Sequence, residues 1–369
     1  MSSGPARLAR ELEVAAAAVC EAARLTRALQ ARLGDPGLGI TKDDKSPVTI
    51  ADFGAQALVC GRLGAAFPHD PVLGEESSSA LRAPGAEALR ARVLVAVRAE
   101  RPEASEDDVL AWIDRGAHRE AAPRAWTLDP IDGTKGFLRG EQYAVALALI
   151  EQGQVVLAAM ACPNLPAYEG LPAREGQPGG SLFLAIRGEG VWQAPLEAPS
   201  ERSPIRASAE RDRRRLRVVM SIDPGHSDQE RTLQVMRRLG IEAAPRKLDS
   251  LAKYALVARG EAEVYYRIPR SRGRFENIWD HAAGALLVEA AGGQVTDLDG
   301  APLDFGQGST LSKNRGVLAS HGPLHAELLA ALAHTEPQAG AGPQAGGGPQ
   351  AGGGPQAGGG PQADGERGA

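Results

Sequence analysis

The feature that most restricts the fold is a pair of adjacent apolar segments that predict a β-hairpin buried on both faces. Residues 143–150 and 154–162 are rich in strand-forming residues and are joined near Gln152 and Gly153, a pattern typical of two antiparallel strands. Side chains alternate between the two faces of a strand. One face of the first strand carries Val145, Leu147 and Leu149, and the other carries Ala146, Ala148 and Ile150. Because both faces are apolar, we expect helices on both sides of the sheet.

Further strands and helices are predicted on both sides of this hairpin along the chain. In the first half, helices are predicted over 7–33, 53–66 and near 89–97, and strands at 125–128, 181–187 and 190–193. In the second half, strands are predicted at 217–221, 262–268, 294–297 and 316–319, and helices over 228–239, 250–257, 280–291 and 323–332. Alternation of this kind indicates an α/β fold class, with an α+β N-terminal half and an α/β C-terminal half.

A Pro- and Arg-rich stretch at 195–215 marks the expected boundary between the two halves. We assign 1–204 to the N-terminal half and 205–334 to the C-terminal half. The segment 79–123 is polar and weakly patterned, so we interpret it as a surface insertion.

The C-terminal segment has a different composition. From Pro337 a unit P-Q-A-G-G-G repeats with a period of six. Gly-rich repeats without large apolar side chains cannot offset the entropy cost of ordering. We predict that 335–369 is a disordered tail with no part in the chemistry.

Charge balance and cysteine content limit the class of partner and the compartment. Lys and Arg number 41 and Asp and Glu number 46, a net charge of −5, which argues against a nucleic-acid coat or a membrane-surface binder. No secretory signal pattern is present, and Cys20, Cys60 and Cys162 form no C-x-x-C pair. We expect a soluble cytoplasmic protein with a small-molecule substrate and no nucleic-acid or membrane partner. A monomer is expected, although no residue pattern determines it.

Two aspartates three residues apart form the strongest local motif, W-T-L-D-P-I-D-G-T at 126–134. A strand is predicted to end there in a turn, because Pro130 restricts Asp129 to an extended conformation and Gly133 permits a sharp bend. Asp129 and Asp132 then point to one place.

Oxygen atoms around this turn suggest a cation site. Asp129 and Asp132 would surround the carbonyl of Ile131, and an all-oxygen cluster suits Mg²⁺. The backbone N–H groups of Gly133 and Thr134 would face a phosphate. The alternative is an Asx-turn and a helix N-cap with both carboxylates in water.

Three more acidic residues occur in short motifs that could contribute to the same site. Glu75 in G-E-E-S follows an apolar strand end, Asp280 opens an Ala-rich helix in W-D-H-A-A-G, and Asp52 precedes a predicted helix, where it would orient a hydroxyl or a water. Each has an ordinary alternative, a charged surface turn for Glu75 and a helix N-cap for the two aspartates. We interpret His281 as a packing residue.

Read together, these motifs are specific. G-E-E, D-P-I-D-G-T and W-D-x-A-A-G occur in an order that resembles the lithium-sensitive, magnesium-dependent phosphatases of the inositol monophosphatase superfamily, over about residues 10–333. Similarity is greatest to the 3′(2′),5′-bisphosphate nucleotidase branch, through the motifs at 74–79, 129–140, 161–165, 247–254 and 302–306. The resemblance implies a layered α/β/α/β/α sandwich of the sugar-phosphatase type, with the metal site in the cleft between the halves.

The resemblance also implies a role for each matching residue. The implied metal ligands, for up to three Mg²⁺ ions, are Glu75, Asp129, Ile131 through its carbonyl, Asp132 and Asp280. The residues implied to position and deprotonate the attacking water are Asp52 and Thr134, together with Glu75. The implied substrate-binding residues are Gly133, Thr134, His226, Ser250, Lys253, Arg267 and Asp280. His226 lies in a segment that departs from the family pattern, and a solvated loop histidine is the alternative there.

The implied activity is removal of the 3′-phosphate of 3′-phosphoadenosine 5′-phosphate, and of its phosphosulfate analogue, with Mg²⁺ as cofactor and Li⁺ as inhibitor. Lys253 and Arg267 suit the second phosphate, since basic residues in a pocket recognise charged ligand groups. Two alternatives remain. One is a phosphatase of the same fold acting on inositol phosphates or sugar bisphosphates, and the other is a nucleotide-binding module without catalysis.

Overall fold

Two β-sheets organise the chain, and helices pack against both faces of each. The computed structural model describes residues 7–33, 46–166, 179–270 and 275–335. The described residues belong to one compact unit, 1–338. The predicted tail lies outside the described residues, apart from Thr335.

The first sheet contains the predicted hairpin. Within the described residues it has seven strands in chain order, β1 (Val72–Gly74), β2 (Arg124–Asp132), β3 (Ala144–Glu151), β4 (Gln154–Cys162), β5 (Ser181–Ile186), β6 (Gly190–Pro195) and β7 (Ser203–Pro204). β1 and β2 are parallel, and the other neighbours are antiparallel. The turn between β3 and β4 has positive φ at both Gln152 (50°) and Gly153 (75°), as a two-residue hairpin turn requires.

Both faces of this sheet are buried, which confirms the prediction from the hairpin. Val145, Leu147 and Leu149 pack in one core with α1 (Ala9–Gln30) and α2 (Ser46–Ala66). Ala146, Ala148 and Ile150 pack in another with α8 (Ala252–Ala258) and α9 (Ala282–Ala290). The apolar side chains of both faces therefore stabilise the fold by leaving water.

The second sheet lies on the other side of α8 and α9. In the described part of the chain it has five strands in the order β11 (Gln294–Thr296), β12 (Val317–Ser320), β10 (Val264–Arg267), β8 (Val218–Met220) and β9 (Arg246–Lys247). Val219 and Tyr265 face α8 and α9, whereas the alternate residues pack with α7 (Gln229–Leu239) and α10 (His325–Ala333). Helices and sheets thus alternate in five layers, as the resemblance implied.

Three helices lie between β1 and β2, where the sequence predicted one helical stretch in a surface insertion. They are α3 (Ser79–Arg82), α4 (Glu87–Arg98) and α5 (Glu106–Asp114). Val93, Val97 and Ile113 are buried in one core with Leu58 of α2. Ser105 and Asp108 form a capping box at the start of α5, which satisfies backbone N–H groups at that helix end. The segment contributes to the core as well as to the surface.

Helix α2 begins at Ser46, seven residues before its predicted start at 53. Pro47 does not oppose this, because a proline in the first turn removes only an N–H group that has no intrahelical partner. No helix among the described residues has the length and apolar character needed to cross a membrane.

Candidate active site

A cavity of about 670 Å³ opens where strand ends from both sheets meet. Its lining includes the end of β2, the short helix α6 (Thr134–Leu138), the start of α8, the end of β10 and the segment before α9. Every residue predicted for the site lines this cavity, with the exception of Asp52. The residues that line it are Glu75, Asp129, Ile131, Asp132, Gly133, Thr134, His226, Ser250, Lys253, Arg267 and Asp280. The sequence motifs therefore meet in one place.

An irregularity at the end of β2 directs its aspartates into the cavity. The pairing of β2 with β3 shifts between Asp129 and Asp132. Gly133 then has φ 91°, a left-handed conformation that suits glycine. A β-carbon at Gly133 would lie 2.8 Å from the β-carbon of Ser250. The turn therefore brings the D-P-I-D-G-T motif into direct contact with the K-L-D-S-L-A-K motif.

The carboxylate cluster, which we define as Glu75, Asp129, Asp132 and Asp280, lies in this cavity. Oxygen atoms of the three aspartates lie within 4.8 Å of one another. Burial is the largest cause that raises the pKa of Asp129 well above its usual range, and the charges of Glu75, Asp132 and Asp280 add to it. Burial and neighbouring carboxylates likewise raise the pKa of Glu75 and that of Asp280 to about 7 each.

This cluster fits a divalent cation. Asp129 is only 2% exposed, and its Oδ1 atom has no hydrogen-bond partner among the described residues. A buried carboxylate oxygen without a partner is costly, and carboxylate oxygens are the ligands that Mg²⁺ prefers. A bound cation would supply the missing partner and offset the repulsion between the carboxylates.

Asp52 and Thr134, the pair expected to act on water, are placed differently. Asp52 lies on α2, is buried and does not line the cavity. Its pKa is raised well above the usual range, mainly by burial and then by the charges of Glu76 and Glu75. The hydroxyl of Thr134 donates to the carbonyl of Ile131 at 3.4 Å. Among the described residues no hydrogen bond joins Asp52 to Thr134, and their expected role in orienting the attacking water stays a prediction.

A basic wall faces the carboxylate cluster, and Lys253 is its first member. Lys253 is buried, donates to the carbonyls of Leu248 (3.3 Å) and Ser250 (2.6 Å), and its Nζ lies 5.3 Å from the centre of the Tyr265 ring. Burial lowers the pKa of Lys253 to about 8, although Asp132 opposes this shift. The backbone N–H of Leu251 donates to Asp132, so the start of the helix that carries Lys253 contacts the cluster.

Arg267 and His226 complete the wall. The Nε and Nη2 atoms of Arg267 donate to the two carboxylate oxygens of Glu276, at 3.2 and 3.0 Å. His226 is 47% exposed at its side chain, and its Nε2 lies 3.4 Å from a carboxylate oxygen of Asp223. Burial and the charge of Arg267 lower the pKa of His226, and Asp223 opposes them. His226 thus lines the cavity as predicted and keeps contact with solvent, as the alternative supposed.

Several residues of the cavity were missed by the sequence predictions. Glu276, Asp249 and Lys135 line it; Lys135 pairs with Asp223, and Asp249 pairs with Arg139. The signal for Asp249 and Lys135 was their place inside motifs already identified, whereas Glu276 carries no local signal. His281, interpreted as a packing residue, is buried but also lines the cavity.

Comparison with known proteins agrees with this geometry. The family model described as the inositol monophosphatase family matches residues 10–338, and the chain belongs to this family. It is 42% identical to a protein of Schizosaccharomyces pombe named 3′(2′),5′-bisphosphate nucleotidase, over 88% of this chain and 95% of the relative. A protein of the same name from Oryza sativa is 39% identical over 88% of this chain and 94% of the relative. The superfamily and branch inferred from the motifs are therefore confirmed.

The solved structure of an inositol monophosphatase from Anabaena (Nostoc) is similar in fold. It superposes with a TM-score of 0.57, covers 89% of this chain and 97% of its own, and is 21% identical in sequence. At that level of identity the likeness concerns the fold alone. It supports the five-layer architecture described above.

Proposed function

We propose that the protein is a Mg²⁺-dependent phosphomonoesterase that removes the 3′-phosphate of 3′-phosphoadenosine 5′-phosphate, giving AMP and phosphate. 3′-Phosphoadenosine 5′-phosphosulfate is the second proposed substrate, giving adenosine 5′-phosphosulfate. One observation carries the proposal: a single cavity holds a carboxylate cluster that needs a cation and a basic wall that suits an anion. The names of the relatives support a nucleotide with two phosphates as the ligand.

On the acidic side, the proposed ligands of up to three Mg²⁺ ions are Glu75, Asp129, the carbonyl of Ile131, Asp132 and Asp280. When bound, Mg²⁺ would supply positive charge to the phosphoryl oxygens and increase the acidity of water. Glu75, Asp52 and Thr134 would orient the attacking water. The backbone N–H groups of Gly133 and Thr134 would donate to the reacting phosphate.

On the basic side, the proposed contacts hold the nucleotide and its second phosphate. Arg267 and Lys253 would donate charge-assisted hydrogen bonds to the 5′-phosphate. Ser250 and His226 would add polar contacts at the cavity wall. Because the two phosphates bind different walls, the nucleotide would be held with its 3′-phosphate at the carboxylates, and correct orientation of this kind lowers the barrier to reaction.

The test compares phosphate release from 3′-phosphoadenosine 5′-phosphate and from inositol 1-phosphate under the same conditions. Each substrate is assayed with Mg²⁺, with EDTA, and with Mg²⁺ plus Li⁺. We expect release from the nucleotide that EDTA and Li⁺ both suppress. Preference for inositol 1-phosphate would overturn the assignment of the basic wall, and binding of the nucleotide without release would indicate a module without catalysis.

A further inference from the structure

A polar chain of Glu276, His281 and Tyr254, which also line the cavity, adjoins the basic wall. Glu276 accepts two hydrogen bonds from Arg267, and its Oε2 atom lies 3.6 Å from Nε2 of His281. His281 is 1% exposed, and its Nδ1 atom lies 2.7 Å from the hydroxyl of Tyr254. Glu276 is therefore held by the guanidinium of Arg267, while the imidazole of His281, whose Nε2 atom has no hydrogen-bond partner among the described residues, lies beside it.

Close helix packing fixes the far end of this chain. A β-carbon at Gly284 of α9 would lie 2.4 Å from the ring of Tyr254 on α8, so only glycine admits the ring there. Tyr254 and Tyr265 also meet edge to face, with ring centres 5.0 Å apart. Because the ring of Tyr254 is confined in this way, its hydroxyl has one position. His281 can form its hydrogen bond with Tyr254 only at that position.

Glu276, Asp280 and His281 also place ligand atoms within 4.8 Å of one another, a grouping that resembles a metal site. Arg267 already supplies the cation for this grouping, because both oxygens of Glu276 accept its N–H groups. A second cation would have to displace the guanidinium. Glu276 is therefore the hydrogen-bonding partner of Arg267 and not a ligand of a second cation.

The bidentate contact with Glu276 determines which N–H groups of Arg267 remain available to a ligand. A guanidinium has five N–H donors, and Glu276 uses one on Nε and one on Nη2. No described residue accepts from Nη1. Three donors consequently remain for the cavity, on an edge whose direction is set by the carboxylate behind it. Without Glu276, the carboxylates of Asp132 and Asp280 across the cavity would attract the guanidinium.

We propose that Glu276 is a positioning residue for recognition of the second, non-reacting phosphate: it fixes Arg267 so that its free edge meets that phosphate and stays away from the carboxylate cluster. This inference rests on the proposed function. It predicts that selectivity for a nucleotide bisphosphate over a nucleotide monophosphate depends on a residue that touches neither phosphate.

The test is steady-state kinetics of Glu276→Gln with 3′-phosphoadenosine 5′-phosphate and with 3′-AMP, which lacks the 5′-phosphate. Glutamine keeps the shape but loses the charge and one of the two acceptors. We expect KM for the bisphosphate to rise about tenfold, with kcat within about twofold and KM for 3′-AMP unchanged, because the contact with one phosphate is weakened equally in the ground state and in the transition state. Glu276→Asp, which keeps the charge, is expected to restore part of the loss.

Two further variants make the result specific. In an Arg267→Met background, Glu276→Gln should have no additional effect on KM, because the carboxylate then has no guanidinium to position. Glu263→Gln is the matched control: Glu263 is a buried partner of Arg217 outside the cavity, and its loss should leave the ratio of the two KM values unchanged.

An equal rise in KM for both substrates, a loss confined to kcat, or a shift no larger than that of Glu263→Gln would each overturn the inference. If wild type releases no phosphate from the bisphosphate, the proposed function is wrong instead. Calorimetric binding of AMP and of adenosine then still tests the contact. Weaker binding of AMP, but not of adenosine, by Glu276→Gln than by wild type supports it. Equal affinities of the two proteins for AMP contradict it. Should Glu276→Gln fail to fold, Glu276→Asp is measured in the same assays.

Discussion

Two polar regions of this protein differ in how completely their hydrogen bonds are satisfied. In the carboxylate cluster, Asp129 keeps an oxygen without a partner, and like charges crowd one another. The edge cluster, which we define as Thr296, Asp297, Asn314, Ser320 and His325, lies at the edge of the second sheet. All five of its residues are buried, whereas Asp129 is the buried member of the carboxylate cluster. In the edge cluster every side-chain oxygen and nitrogen has a partner among the described residues.

The contacts of the edge cluster explain its role. Asp297 accepts from the backbone N–H groups of Asp299 (3.0 Å) and Ala301 (2.8 Å) and from the amide of Asn314 (3.1 Å). This closes the loop after β11 with a buried group whose acceptors are all used. Such a cluster stabilises the fold and needs no ligand, whereas the carboxylate cluster costs free energy until a cation binds. The difference predicts opposite effects for the same chemical change.

The largest effect is expected from Asp129→Asn. The change keeps the size of the side chain but removes one cation ligand, so kcat should fall by about 1000-fold, roughly 4 kcal/mol in the barrier. In EDTA the variant should unfold at the same temperature as wild type or higher, because one of several repelling charges is gone. Initial rates with Mg²⁺ and thermal unfolding in EDTA measure the two effects. Turnover within tenfold of wild type would contradict the assignment of Asp129.

The same change in the edge cluster, Asp297→Asn, should act on stability alone. An amide would set N–H donors against the amide of Asn314 or against the N–H groups of Asp299 and Ala301, and a buried donor without an acceptor costs about 1–3 kcal/mol. We expect the free energy of unfolding in urea to fall by that amount, with kcat per folded molecule unchanged. A variant with full stability and reduced turnover would remove the contrast between the clusters.

The smallest effect concerns pH and His325. Its two ring nitrogens lie 2.8 Å from Ser320 Oγ and 2.9 Å from Thr296 Oγ1, and burial, with a smaller contribution from His321, lowers the pKa of His325 to about 4. The unfolded chain therefore binds a proton more readily than the folded one, and stability present above about pH 6.5 is lost as the pH falls toward 4.

We expect a loss of about 1 kcal/mol between pH 7 and pH 5.5 from this histidine. Urea unfolding of wild type and His325→Gln across that range measures it, and the variant should show the flatter dependence. Parallel curves for the two proteins would show that the edge cluster tolerates the extra proton.

The sequence predicted those parts of the structure that depend on local patterns. Alternating apolar residues predicted the hairpin and its two covered faces, and the D-P-I-D-G-T and W-D-H-A-A-G motifs predicted which side chains meet in the cavity. Contacts between distant charges have no such local pattern. Arg267 and Glu276 are joined only because β10 ends beside the segment that precedes α9. For the same reason, the sequence did not reveal that Lys135 pairs with Asp223, or that Asp52 would be buried without lining the cavity.

The contact between Gly133 and Ser250 has a consequence for the size of ligand that the protein accepts. It joins the turn that carries the acidic side of the cavity to the loop that carries the basic side, and it is too close to admit a β-carbon on Gly133. The main chain therefore sets the distance between the acidic and the basic side of the cavity. Replacing side chains on either side changes which ligand groups are bound there, but not that distance. In the proposed reaction this contact fixes the spacing of the two phosphate-binding positions, and that spacing matches the separation of two phosphates on one sugar.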